Sequence, residues 1–165
     1  MASIASRLDA NRASVAALIA AAEQSVAALT TPRAPGKWSP AQIVEHVART
    51  YDSSADLVLG KPSRFPTLPA FLRPVARGLL FNRVVKKGTF PKARTNKAMN
   101  PSSGPSTAEA VRIRLQEAVE GFETACRAHA GETLQTGTFG PVPLLDYILF
   151  MEVHARHHTR QIPRA

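Results

Sequence analysis

Periodicity does most to decide what this chain can fold into. Apolar residues recur at three- and four-residue steps in four separate stretches, and no alternating run is long enough to read as a convincing strand. In the first stretch Ile4, Leu8, Val15, Leu18, Ile19, Ala22, Val26 and Leu29 form one stripe, which predicts an amphipathic helix over 4–29. The breaker run TTPRAPGKW ends it. Ser39 as N-cap, Pro40 at the first helical position and Gln42 at the third then form a capping box. It opens a second helix, carried by Ile43, Val47, Ala55 and Val58 to about Gly60. Ser106 with Glu109 predicts another capping box, opening a third helix along Val111, Leu115, Ala118, Val119, Phe122 and Cys126 until Gly131. After the turn-rich link GETLQTGTFGPVP, residues Leu144, Ile148, Met151 and Ile162 mark a fourth helix that runs nearly to residue 165. Four such helices predict an all-α four-helix bundle, a single domain over 1–165.

Between the second and third helices lies a long irregular insert, about 61–105, dense in Pro, Gly, Lys and Arg. A short helix around Val75 to Val85 is the most order expected there. This insert also explains the charge. The chain's formal net charge is +9, yet from Leu57 to Ala108 there is no Asp or Glu and there are ten Lys and Arg. The other eleven of the 21 basic residues are balanced by twelve acidic ones. One segment therefore carries the whole positive excess.

A lone cysteine, Cys126, excludes an intrachain disulfide and sits on the core stripe of the third helix, where an inert buried thiol is expected. The apolar run Val15 to Ala22 is too short to span a bilayer and follows Asp9, Asn11 and Arg12, so the expected compartment is the cytoplasm.

Three of the five histidines fall in HARHHTRQI, in the second half of the fourth helix. At about 100° per residue, His158 lies roughly 20° and His154 about 60° from the centre of the apolar stripe near Met151, with His157 about 120° away. His154 and His158 thus point inward together, four residues apart, and their imidazoles can reach one ion. On spacing alone such a pair is more often incidental. A third ligand must come from another helix, and His46 is the only other histidine inside a strong apolar pattern, between Ile43 and Val47. His129, at the end of the third helix, suits a cap, and His157 a solvated or supporting position. Gln42, Thr50 and Ser53 share the face of His46 and are candidates for orienting ligand or substrate, as are His157 and Gln161. No carboxylate shares a face with the three histidines, so no general base and no catalytic residue is identified.

The stretches WSPAQIVEHV, TFGPVPLLDY and HARHHTRQI, in this order and at this spacing, resemble the DinB/YfiT-like superfamily of metal-dependent enzymes over nearly the whole chain. The resemblance implies a DinB-like bundle, often a homodimer, holding a divalent ion on one histidine of the second helix and two of the fourth. Here those are His46, His154 and His158, the set that the face count also selects. Three imidazoles suit Zn, Ni, Fe or Co and leave positions open for chemistry. Members include thiol-dependent S-transferases, isomerases and hydrolases, which implies an ion activating water or a low-molecular-weight thiol co-substrate.

For the insert, Arg73, Arg77, Arg83, Lys86 and Lys87 are candidates for drawing in a small anionic substrate. A competing reading is a non-enzymatic, metal-stabilised bundle whose insert binds a polyanion. For nucleic acid, Phe65, Phe71, Phe81 and Phe90 could stack bases, but no recognised motif accompanies them. For an anionic membrane, FLRPVARGLLFNRVVKK mixes apolar and basic residues, but Pro74 and Gly78 interrupt it. Neither nucleic acid nor membrane is the expected partner.

Overall fold

The computed structural model describes residues 3–91 and 96–163, so that Lys92 and Arg94 of the basic insert lie outside the described residues. The fold is mostly helical with one small sheet. Four long helices, α1 (Ile4–Gln24), α2 (Pro40–Val58), α5 (Ala108–Ala128) and α6 (Leu144–Thr159), enclose a common core. Short helices α3 (Arg73–Ala76) and α4 (Asn82–Lys87) lie in the insert. Strands β1 (Thr133–Thr136) and β2 (Gly140–Pro143) precede α6.

Three of the four long helices begin where a Ser or Thr accepts from a free backbone N–H, namely Ser3, Ser39 and Thr107, whereas α6 starts after Pro143 with no side-chain cap. Ser39 caps α2 as a full box: its hydroxyl accepts from the Gln42 N–H, and the Gln42 side chain accepts from the Ser39 N–H. The cap of α5 differs from the expectation. Thr107, not Ser106, accepts from the Ala110 N–H at 3.1 Å, which leaves Glu109 in the first turn, where a negative charge complements the helix dipole. The first helix also stops earlier than the apolar stripe suggests. At Ser25 the chain tightens into a 3-10 turn, Val26–Ala28, while the Ser25 hydroxyl donates to Pro163 O at 2.8 Å. Leu29 nevertheless stays buried, so the stripe outlasts the helix.

α2 packs along α5 and α1 along α6, with α1 also meeting α5. Leu8, Leu18, Val47, Leu115, Phe122 and Ile148 fill the space between them. Two buried tyrosines keep hydrogen-bond partners there: Tyr51 donates to Asn11 Oδ1 at 2.6 Å, and the Tyr147 hydroxyl lies 2.9 Å from Ser54 Oγ.

The β1–β2 hairpin is a small addition to the expected all-α fold. Its strands pair antiparallel with Leu134 opposite Val142, across a turn closed by Phe139 N–H donating to Thr136 Oγ1 at 2.8 Å. With four residues per strand and one large inward side chain each, the alternation is too short to register as a pattern. Its tip is tied to the insert, since Leu68 N–H donates to Gly137 O at 2.9 Å and Thr138 Oγ1 to Pro66 O at 2.6 Å.

The insert then runs as a helical stretch over 70–87, wider than expected. A 3-10 turn, Ala70–Leu72, leads into α3, a π-helical stretch Arg77–Phe81 and α4, which Gly88 ends in a left-handed conformation. Phe81 and Val84 anchor this stretch, the Phe81 ring stacking 5.2 Å from Phe150 of α6. Residues 99–104 of the insert return as a strap over the start of α2. Gln42 Nε2 donates to Pro101 O at 3.2 Å and Trp38 Nε1 to Asn100 Oδ1 at 3.1 Å.

Gly104 permits that close approach, because a Cβ there would stand 1.9 Å from Ala41 O. Gly104→Ala is expected to destabilise by about 1–3 kcal/mol through overpacking. Gly121→Ala, in an open position of α5, should stabilise by about 0.5–1 kcal/mol. Urea unfolding of both variants checks the opposite signs.

Candidate metal centre

His46 on α2 and His154 and His158 on α6 are buried on facing sides, and there three imidazoles meet. Nε2 of His154 lies 3.2 Å from Nε2 of His46 and 3.1 Å from Nε2 of His158. One ligand atom from each histidine falls within 4.8 Å of those of the other two, and all three residues are buried. The face count therefore selected residues that the structure brings together.

Proton positions follow from the partners. A carbonyl oxygen cannot donate, so the contact of His46 Nδ1 with Met99 O, 2.8 Å, requires Nδ1–H. With the Gln161 amide donating Nε2–H to His157 Nε2 at 3.0 Å, its Oε1 faces His158 Nδ1 at 2.9 Å and again requires Nδ1–H. In neutral His46 and His158 the Nε2 lone pairs are thus left facing His154. His154 cannot satisfy both: one N–H serves one neighbour only, and its Nδ1 is buried without a partner. A cation among the three Nε2 atoms would engage all three lone pairs at once. The backbone and side-chain acceptors behind two of the rings are the usual supports of metal-bound histidine.

The electrostatics agree with neutral ligands. Burial lowers the pKa of His46, opposed by its hydrogen bond to Met99, and lowers that of His154 well below the ordinary range, with the neighbouring histidines adding to it. Burial, with His46 next, takes His158 down to about 3. Neutral imidazole is the form that binds metal. The donor set fits a divalent ion.

Aromatic rings close the site on two sides. Trp38 sits 4.8 Å from the His46 ring, and Phe90 sits 5.4 Å from His154 and 5.8 Å from His157. The histidines line a cavity of about 440 Å³, walled largely by apolar side chains such as Ile43, Leu57, Leu80, Phe139, Phe150 and Met151. Among the described residues no carboxylate lines it, and its formally charged side chains are Arg33 and Lys37, both exposed in the loop between α1 and α2.

Other candidate residues are distributed unevenly. Gln161, His157 and Thr50 line the cavity, although the Thr50 hydroxyl is committed to His46 O at 2.8 Å within α2. Gln42 holds the helix cap and the strap, and Ser53 is buried, neither among the lining residues. The insert cations sit elsewhere: Arg73 donates to Leu68 O and Arg77 to Pro141 O, both at 2.9 Å, while Arg83, Lys86 and Lys87 are exposed outside the cavity. His129 caps α5 and meets Glu132 at 3.0 Å. Glu45 is engaged with Arg49 and Arg114. Cys126 is buried, its thiol pushed up to about 12 by desolvation, then by Glu123, as an inert core residue would be. Arg33, Lys37 and the Met99 carbonyl have no sequence signal, since they lie in loops outside the helical stripes, and Phe90 draws notice in the sequence only as a ring that could stack a base.

A family model described as the DinB superfamily matches residues 7–162. No curated protein and no solved structure matches the chain.

The buried histidines set a pH dependence for the metal-free protein. The unfolded chain takes up protons on them below about pH 6.5, whereas the folded chain resists protonation, most clearly at His158. Stability should therefore fall as pH drops, by on the order of 2 kcal/mol for His158 between pH 7.5 and 5. Urea midpoints of the metal-free protein check this. His158→Leu should flatten the fall.

Proposed function

This chain belongs to the DinB superfamily, and on that premise we propose that it is a metal-dependent enzyme acting on a small anionic substrate. In this reading the four long helices form a DinB-like four-helix bundle, and His46, His154 and His158 hold one divalent ion, Zn, Ni, Fe or Co, at the floor of the cavity. The observation that carries it is the convergence of three buried Nε2 atoms, two of them with the proton fixed on the far nitrogen.

When bound, the ion would supply Lewis acidity, favouring the deprotonated form of a water or thiol near neutral pH. The chain's own residues do the rest. Gln161 fixes the proton and the orientation of His158 while its amide holds His157. The Met99 carbonyl does the same for His46. Trp38 and Phe90 shield the rings from bulk water, which strengthens electrostatic interactions at the floor. The apolar walls favour a substrate with a hydrophobic body, and Arg33 and Lys37 favour one with a negative group at the outer end. With no carboxylate on the lining, proton acceptance by an Asp or Glu has no candidate among the described residues. This favours a thiol S-transferase or a hydrolase whose nucleophile the ion itself activates.

The test is a turnover screen of ion-reconstituted protein with low-molecular-weight thiols plus electrophiles, and with anionic esters. Activity should vanish on chelation and return with the ion. Turnover indifferent to chelation would contradict the reading. Arg33→Ala/Lys37→Ala should raise KM for an anionic substrate by about tenfold, with kcat and the KM of a neutral analogue little changed. Gln161→Leu should weaken metal affinity by about 10–100-fold, read by competition with a chromophoric chelator.

A further inference from the structure

The helical stretch over 70–87 has two faces. Its inner face is fixed: Phe81 and Val84 are buried, and Arg73 and Arg77 are used by backbone carbonyls. Its outer face begins with Phe71, Leu72, Val75 and Leu79, which are 77%, 40%, 54% and 71% exposed. Exposed Arg83, Lys86 and Lys87 follow on α4. Isolated exposed apolar residues are ordinary, but successive turns presenting Phe, Leu, Val and Leu on one side are not. Pro74 does not break the stretch, since it lies in the first turn of α3, where a missing N–H is harmless. A side chain at Gly78 would meet nothing within 4 Å, so that part of the face is open.

We propose that this outer face attaches the protein peripherally to an anionic lipid surface, with Phe71, Leu72, Val75 and Leu79 entering the interface and Arg83, Lys86 and Lys87 meeting the headgroups. Charge complementarity selects this occupant. No acid lies between Leu57 and Ala108, so two copies of the segment face to face would repel. Nucleic acid could use the cations and stack on Phe71, but gains nothing from Leu72, Val75 and Leu79. An anionic bilayer uses both halves of the face.

Sedimentation of the full chain with vesicles of phosphatidylcholine alone, and with phosphatidylglycerol added, tests the proposal. Association is expected with the anionic vesicles only, weakening at high salt. Each cation near such a surface strengthens binding by about fivefold, so Arg83→Gln/Lys86→Gln/Lys87→Gln should lose about a hundredfold. Phe71→Ser/Leu79→Ser should lose about tenfold or more. All five positions are exposed, so helix content and melting temperature should stay unchanged in both variants. The proposal is overturned by no association with anionic vesicles, by equal association with neutral ones, or by association that both variants leave unchanged. A solution mass of two chains that falls to one in Phe71→Ser/Leu79→Ser would also overturn it, assigning the face to a second copy.

Discussion

The structure turns on three uncharged imidazoles buried within hydrogen-bond distance of one another, with too few protons to go round. His46 and His158 present lone pairs to a His154 that can answer only one of them, and the outer nitrogen of His154 has no partner. Such a cluster is costly in a low-dielectric interior unless something positive lies among the three nitrogens. The surrounding architecture serves to maintain it. The Ser39 capping box sets where α2 begins and hence the level at which His46 points inward. Gly104 lets the strap lie against α2, which puts the Met99 carbonyl behind His46. The turn after α6 brings Gln161 back beneath His158.

Outside that polar centre the cavity is divided by chemistry. Helices contribute the three histidines and much of the apolar wall, whereas loops contribute the aromatic covers and the cations. Rigid elements thus hold the groups that need angular accuracy, and the loop between α1 and α2 carries the charges, which act over distance. The insert likewise separates two tasks. Leu80, Phe81 and Phe90 face the helical core and the cavity, while the neighbouring Leu79 and the cations of α4 face outward.

Helical periodicity made the triad legible in the sequence. Counting about 100° per residue placed His154 and His158 on one inward face, and the apolar neighbours of His46 did the same on α2. Angular position along one helix says nothing of what is opposite. Gln42 shares a face with His46, yet sits a full turn toward the cap and is spent on Ser39 and the strap. Arg33 and Lys37 are neighbours of the site only because the chain folds back over it, so no local pattern marks them. Charge density drew attention to Arg73 and Arg77, but composition cannot show that their guanidinium groups are occupied by Leu68 O and Pro141 O. Ser106 and Thr107 are adjacent cap residues, and the sequence alone does not mark Thr107 as the one that accepts from Ala110 N–H. The β1–β2 hairpin was hidden by its shortness.

The central claim is that α2 and α6 share one ion. Its most direct measurement is elemental analysis of untagged protein after loading with a divalent metal and removal of unbound ion, with His46→Ala and His158→Ala beside the wild type. About one ion per chain in the wild type, lost in both variants while the helix content persists, is the predicted result. No retained ion in the wild type, or full retention without His46, would contradict it.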